Sequence, residues 1–347
     1  MGKVIDKNYC MSSFLAFRYI ADDDKEFKEG VQHFTYKPVT AEEQTACETA
    51  EDIDRCIREQ LARIDLSGAA ILLSGGMDSA ILASYMPEGT KAYTAMSTGC
   101  KVDETERAKK YCEIKGLEHV VVEVTWEDYL DCMDALMLND GCPVFANEPQ
   151  VYKLAERIKQ DGFDTIILGD NADMAFGGMD KLLSKEWTYR EWIERYTFVN
   201  PSDVLKQPAS VEGVYEQYKK GTDGVDYIKF LNEVFASSSS GAYINAFRLA
   251  GIQYYDPYAY MKMAKPLDLQ RVRSGDSKYL LRDLFRMRYP NLEVPEKIAM
   301  ARAVDKWLAD WSGPVREEFI SPDVVKTLTG EQKFLLYSLE RFLNLID

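Results

Sequence analysis

Short apolar runs and helical periods alternate through the middle of the chain. Residues 69–73, 91–96, 119–124 and 165–168 are brief and rich in Ala, Ile, Leu and Val, as strands buried on both faces are. Between them, residues 79–85, 104–115, 127–138 and 148–160 space their apolar positions at helical intervals. Alternation at this pitch predicts an α/β fold built on a doubly wound parallel sheet, whose ligands bind beyond the carboxyl ends of the strands. Upstream, an aromatic run over 14–20, an acidic turn over 22–24 and an apolar run over 31–36 precede the Lys37-Pro38 break. The pattern then predicts one helix over 41–64, with Ile53, Ile57, Leu61 and Ile64 on its buried face. From about Trp187 the strand signal stops. Residues 227–235, 243–249, 278–288, 304–311 and 331–345 read as helices, a C-terminal helical elaboration. The serine run over 237–240 marks a tight turn or a helix start. The chain thus divides into an N-terminal segment and helix over 1–65, an α/β core over 66–186 and a helical part over 187–347.

Composition narrows the partners. The 347 residues carry 42 Lys and Arg against 57 Asp and Glu, a net charge of −15, which repels phosphate backbones and argues against a nucleic-acid partner. The seven cysteines are odd in number and form no C-x-x-C pair, which argues against a disulfide framework or a structural zinc site and for reduced thiols in the cytoplasm. With His33 and His119 alone, no histidine-rich metal centre can be assembled. His119 opens a strand and suits a structural role. Residues 1–20 lack the apolar centre of a signal peptide, and no run approaches the roughly 18 apolar residues of a membrane span. Met1-Gly2 begins like a myristoylation signal, but Asp6 stands where Ser or Thr is needed.

The chemistry concentrates after the first strand, at Ser74-Gly75-Gly76-Met77-Asp78-Ser79. Two glycines let backbone amides close on an anion, the new helix presents its positive end, and two hydroxyls add donors, so a phosphate group suits the turn. Asp78 would repel that phosphate unless a divalent cation lay between them, which points to Mg²⁺. No lysine follows the glycines as it does in P-loop kinases and GTPases.

At these residues the chain resembles the PP-loop ATP pyrophosphatases. A second stretch, Leu168-Gly169-Asp170-Asn171-Ala172-Asp173-Met174-Ala175-Phe176-Gly177-Gly178, is similar to the S-G-E-G-x-D-E-x-F-G-G signature of the synthetase domain in the asparagine synthetase family. The resemblance runs on through Asp103-Glu104, Gly251, Asp256-Pro257-Tyr258 and Lys278-Tyr279-Leu280-Leu281-Arg282, covering about residues 12 to 310. It implies an ATP- and Mg²⁺-dependent ligase. A carboxylate on a small molecule or peptide attacks the α-phosphate of ATP, giving an acyl-adenylate and pyrophosphate, and an amine or ammonia then displaces AMP to form an amide. On this resemblance Ser74, Gly75, Gly76 and Ser79 cradle the pyrophosphate, and Asp78 and Asp173 hold the metal. Lys278 stabilises charge at the reacting phosphate, and Leu72, Met96 and Gly169 line the adenine and ribose pocket. Asp170 stands beside the acyl intermediate, placed to take a proton from the incoming amine. Plainer roles compete: Asp170 and Asp173 as turn or capping aspartates, Lys278 as a solvated helix lysine, and the tyrosines at 254–255 and 258–260 as packing.

The chain also departs from that family. Gly2 stands where the family's glutaminase domain has its nucleophilic cysteine, and residues 12–38 resemble the connector that follows that domain. Nitrogen is then expected from free ammonia, from an amine, or from a separate glutaminase or other amine-supplying protein. Asp170 replaces a glutamate and Met174 an acidic residue. The family's G-x-E-x-R-x-P-F becomes Gly251-Ile252-Gln253-Tyr254-Tyr255-Asp256-Pro257-Tyr258, without the glutamate and the arginine. The ATP-activating half is kept and the substrate-facing half altered, which argues against asparagine synthesis itself. A non-catalytic nucleotide-binding partner subunit and a PP-loop adenylating enzyme of another pathway are the competing readings, and a homo-oligomer is left open.

Overall fold

Alternate side chains of the first central strand serve two different cores. Ala69, Ile71 and Leu73 pack on one side with Ala92 and Ile167, while Ala70 packs on the other with Tyr93 and Ile166. That period of two, apolar on both faces, is what a parallel strand covered by helices requires. A computed structural model describes residues 3–100, 103–298 and 300–347. Its centre is a five-stranded sheet of β1 (Ala69–Leu72), β2 (Lys91–Ser97), β3 (Glu118–Val124), β4 (Thr165–Ile167) and β5 (Gln253–Tyr255). All four pairings are parallel and the order is β5-β4-β1-β2-β3. The chain therefore leaves β1 toward β2 and later returns to β1's other side with β4. Between β1 and β4 the winding reverses, which makes that gap the topological switch point where such sheets bind ligands.

Helices cover both faces. On one side lie α2 (Ala50–Leu61), α3 (Met77–Ala83), α4 (Thr105–Lys115) and α9 (Tyr279–Arg288). On the other lie α1 (Lys7–Phe17), α5 (Trp126–Asp140), α6 (Asn147–Gln160), α8 (Ala236–Ala250) and α10 (Gly330–Ile346). One further turn, α7 (Ala172–Ala175), follows β4. A third core is aromatic: Trp192, Tyr196, Tyr215 and Phe230 pack ring on ring, with Tyr215 and Phe230 stacked 5.3 Å apart. No helix among the described residues is long and apolar enough to cross a membrane. Met1 and Gly2, which carry the myristoylation-like start and the missing cysteine, lie outside the described residues.

Four expectations change. The helix expected over 41–64 begins only at Ala50, because Thr49 and Asp52 close a capping box there, and Thr45–Cys47 pairs as a strand with Met261–Met263. Strands do not stop at Trp187. β5 supplies the sheet's edge and Lys219–Lys220 pairs with Gly224–Val225, but two- and three-residue strands carry too little periodicity to be seen. The serine run neither turns nor starts a helix. It lies inside α8, which continues from Tyr227–Phe230 through a π-turn at Leu231–Phe235. Finally, the helix expected over 304–311 is a single turn, Val304–Trp307.

Candidate active site

The loops leaving β1 and β4 meet at the switch point, and both expected motifs lie on them. Ser74 to Gly76 lead straight into α3, whose N-cap, Gly76, offers no side-chain acceptor, so the helix's first amides stay available to an anion. Gly75 is required by close approach: a Cβ there would sit 2.8 Å from the backbone oxygen of Glu104. Arg107 Nη1 ties the loop down, donating to the carbonyls of Gly75 (3.4 Å) and Glu296 (3.1 Å). The Ser74 amide donates to Ser79 Oγ at 3.1 Å, and the two hydroxyls lie 3.1 Å apart, closed on each other within the turn.

Beside this turn two carboxylates share one cation. Lys278 Nζ bonds Asp78 Oδ2 at 2.5 Å and also contacts Asp173 Oδ1. Lys278 is 5% exposed, so it is no solvated surface lysine. It caps α9 in a left-handed backbone conformation, φ +52°, which a side-chain-bearing residue adopts at a cost of about 1–2 kcal/mol. Burial pulls the Lys278 ammonium down, but the two carboxylates outweigh it and hold its pKa above the ordinary lysine value. Burial pushes Asp173 up, yet Lys278 and Lys297 hold it below the usual carboxylate range. Asp78, buried with one ammonium against it and Asp173 nearby, is pushed up. Lys297 Nζ donates to Asp173 Oδ2 (2.7 Å) and to the Gly178 carbonyl (2.6 Å).

These residues suit Mg²⁺. Asp78 Oδ1 is buried without a hydrogen-bond partner, and both carboxylates converge on one cation position. Among the described residues no group of three or more His, Cys, Asp or Glu could hold a metal. The protein therefore offers two hard oxygen donors, and Mg²⁺ characteristically completes its shell with phosphate oxygens and water. A Cβ at Gly178 would overlap the Asp173 carboxylate and the Lys278 stem. Gly178→Ala is expected to lower stability by about 1–3 kcal/mol and to weaken Mg²⁺-ATP binding about tenfold, read by urea unfolding and by titration calorimetry.

Asp170, at the end of β4, faces α8. Its two oxygens accept from Ser239 Oγ (3.1 Å) and Ser240 Oγ (2.8 Å). Burial pushes its carboxyl up to about 6, against the pull of those hydroxyls. Next to it Asp256 holds three donors. It accepts from Asn171 N (2.8 Å) and Nδ2 (2.9 Å) and from Tyr258 N (2.9 Å), so it locks the β4 loop to the β5 end. Burial pushes Asp256 up to about 7.

Three cavities meet at these groups. One of about 180 Å³ is walled by Leu72, Thr94, Ala95, Gln150 and Gly169 and opens toward Ser74, Asp78 and Asp170. A second, about 200 Å³, holds Gly76, Asp78, Asp173, Lys278 and Lys297. A third, about 210 Å³, begins at Leu168, Asp170 and Tyr243 and runs toward β5. Met96 is a correction: it lines none of these, and Thr94 and Ala95 form the β2 wall in its place. His119 is held structurally, its Nε2 2.9 Å from Thr94 Oγ1.

The family model for asparagine synthase matches residues 48–307, a span that contains both loops, Asp170 and Lys278. The chain belongs to the asparagine synthase family. A glutamine-hydrolysing asparagine synthetase of Sandersonia aurantiaca is 27% identical over 154 residues, 39% of this chain and 29% of its own length. The nodule enzyme of Pisum sativum is 26% identical over 156 residues, 39% of this chain and 26% of its own. A Methanocaldococcus jannaschii protein named as a glutamine-hydrolysing asparagine synthetase is 25% identical over 228 residues, 62% of this chain and 38% of its own. The chain thus spans less than two fifths of each of these relatives. A solved NMN synthetase from Francisella tularensis, at 12% identity, overlaps 72% of this chain and 96% of its own with a TM-score of 0.28, too low to carry an argument.

Within this asparagine synthase domain, the sequence-predicted residues Ser74, Gly76, Asp78, Ser79, Gly169, Asp170, Asp173 and Lys278 come together around the adjoining cavities. Sequence reasoning missed Lys297, Ser239, Ser240 and Tyr243. The serines had a signal, since small hydroxyls at adjacent helix positions beside an acid are donors, but the run was read only as a tight turn or a helix start. Lys297 had none: it stands alone in a loop far along the chain.

Proposed function

We propose that the protein is an ATP- and Mg²⁺-dependent, AMP-forming amide ligase. In the first step a substrate carboxylate oxygen attacks the α-phosphorus of ATP, the bond to the bridging oxygen breaks, and pyrophosphate leaves. In the second an amine or ammonia attacks the acyl carbon, the bond from that carbon to the AMP oxygen breaks, and the nitrogen's proton passes to Asp170. The observation that carries this reading is the convergence of Asp78, Asp173 and Lys278 beside the uncapped amides of α3, with Asp170 facing the same cleft. The α3 amides would hold the departing pyrophosphate, and the Lys278 ammonium, set beside them, would stabilise charge as it builds. Asp78 and Asp173 would hold Mg²⁺, whose part when bound is to neutralise phosphate charge.

Family membership supports carbon–nitrogen bond formation, and the altered substrate-facing residues support a carboxylate other than aspartate. Gln253 and Tyr255 stand where the resemblance leads one to expect glutamate and arginine, and Tyr255 lines the third cavity. The nitrogen would come from ammonia, an amine or a separate supplying protein. With ATP, Mg²⁺ and a library of small carboxylates, the purified protein is expected to exchange labelled pyrophosphate into ATP, and Asp78→Asn to lower that exchange about a hundredfold or more. Bound ATP with no exchange across the library would overturn the ligase reading in favour of a nucleotide-binding subunit.

A further inference from the structure

The third cavity is a chamber of tyrosines. Tyr36, Tyr243, Tyr254, Tyr255 and Tyr260 line it, with apolar Ile244 between them. Tyr255 and Tyr260 stack 5.6 Å apart at 19°, and Tyr255 Oη is turned away to Gln60 Oε1 at 2.6 Å. Among the described residues the only charged lining groups are Asp170 and Asp256, with no lysine or arginine. Asp256 accepts three N–H groups from Asn171 and Tyr258, whereas Asp170 accepts two hydroxyls, one on each oxygen, and keeps the larger acceptor capacity. Leu168, Asp170 and Tyr243 line both this chamber and the cleft beside β1, so the two cavities share Asp170 as a common wall.

We propose that this chamber is the nitrogen-donor pocket and that it takes a small organic primary amine, with the nitrogen set against Asp170. This rests on the ligase reading above. Three features choose the amine. A second carboxylate on an occupant would be buried beside two others with no cation to pair it, a cost that excludes dicarboxylic acids from this chamber. Tyrosine faces attract ammonium groups and pack flat against aromatic or alkyl bodies. Size leaves room for an organic body beside the nitrogen: one water-sized molecule needs about 10–15 Å³, and the chamber has about 210 Å³. An ammonium drawn in by the ring faces first gives one proton to water, and the neutral amine then attacks the acyl carbon as the carbon–nitrogen bond forms. AMP leaves with the electron pair of the broken carbon–oxygen bond, and Asp170 receives the proton.

Benzylamine and tyramine serve as probes, with benzoate and aspartate as the anionic comparison. By saturation-transfer NMR on the intact protein, the amines are expected to bind at least tenfold more tightly than the acids, and Ile244→Trp, which fills the chamber, to abolish that binding. With an adenylated carboxylate, hydroxylamine traps the acyl group as a hydroxamate without needing the chamber. Ile244→Trp is therefore expected to lower the ratio of benzylamide to hydroxamate at least tenfold. The milder Tyr254→Ala, at the half-exposed rim, is expected to shift the ratio the same way should the tryptophan variant fail to fold. Tighter binding of the acids, or an equal fall in pyrophosphate exchange and amide formation, overturns the amine assignment. Amine binding that persists where no carboxylate supports exchange keeps the chamber's chemistry and overturns the ligase reading alone.

Discussion

Lys278→Ala is expected to reduce pyrophosphate exchange about a thousandfold and, in the same protein, to make folding strongly dependent on Mg²⁺. The first effect follows from position. The ammonium lies between the two carboxylates proposed to hold the metal, in a cavity that also contains the turn proposed to bind pyrophosphate, and removing one such charged donor costs about 10²–10³ in rate. The second follows from what is left behind. Asp78 and Asp173 are half-buried, and without Lys278 only Lys297 among the described residues faces them, touching Asp173 alone. Breaking a buried ion pair by removing one partner costs about 3–5 kcal/mol. A divalent cation restores the missing charge, so Mg²⁺ is expected to raise the melting temperature of the variant well beyond its effect on the unaltered protein. Lys278→Gly separates chemistry from fold, because it relieves the left-handed strain at φ +52° and should lose exchange just as completely. Exchange surviving in either variant would remove Lys278 from the reaction. A melting temperature indifferent to Mg²⁺ would remove the shared cation position.

The sheet and its two loops were legible because they obey strong local rules. A period of two inside β1, with apolar residues on both faces, announces a covered strand, and glycines directly after it announce a turn that something must approach closely. The other side of the site was less legible for the same reason in reverse. Lys278 reaches the cleft from a helix N-terminus, and Lys297 from a loop over a hundred residues beyond Asp173, with no period linking them to either motif. β5 has three residues, two of them tyrosine, and acquires strand geometry only by pairing with β4. The serine run shows tertiary packing overriding propensity: serines disfavour a helix interior locally, yet Ser239 and Ser240 sit there because Asp170 needs donors. At β2 the cleft is lined by Thr94 and Ala95 and Met96 lies one residue beyond them, a placement that the strand's alternation does not give, since it puts Met96 on the same face as Thr94.

Asp170→Asn is expected to lose amide formation by about 10²–10⁴ while retaining pyrophosphate exchange, and also to make the protein more stable at neutral pH. Burial raises the Asp170 carboxyl to about 6, so a proton acceptor is available above that pH and withdrawn below it. Amide formation should therefore rise through pH 6 to a plateau, with no matching step in the exchange reaction, which precedes proton transfer from the amine. The groups facing Asp170 are the Ser239 and Ser240 hydroxyls, with Asp173, Asp256 and Arg18 within electrostatic reach. For stability the sign runs the other way from a salt-bridged carboxylate. The folded pKa lies above the unfolded value, so between about 4 and 6 the folded state holds more proton than the unfolded chain, and stability falls as pH rises through that window. Above pH 6 the penalty is fully present, on the order of 2–3 kcal/mol for a shift of this size. Asparagine keeps an oxygen and an amide for the serine hydroxyls and carries no charge. Urea unfolding should accordingly show Asp170→Asn ahead of the unaltered protein at pH 7, with the gap closing toward pH 4. Asp256, raised to about 7 by burial with the Asp170 charge adding to the rise, titrates above Asp170 and moves down in the variant, so the difference between the curves reports Asp170 together with its effect on Asp256. An acidic limb that appears equally in exchange and amide formation would assign the base to another group.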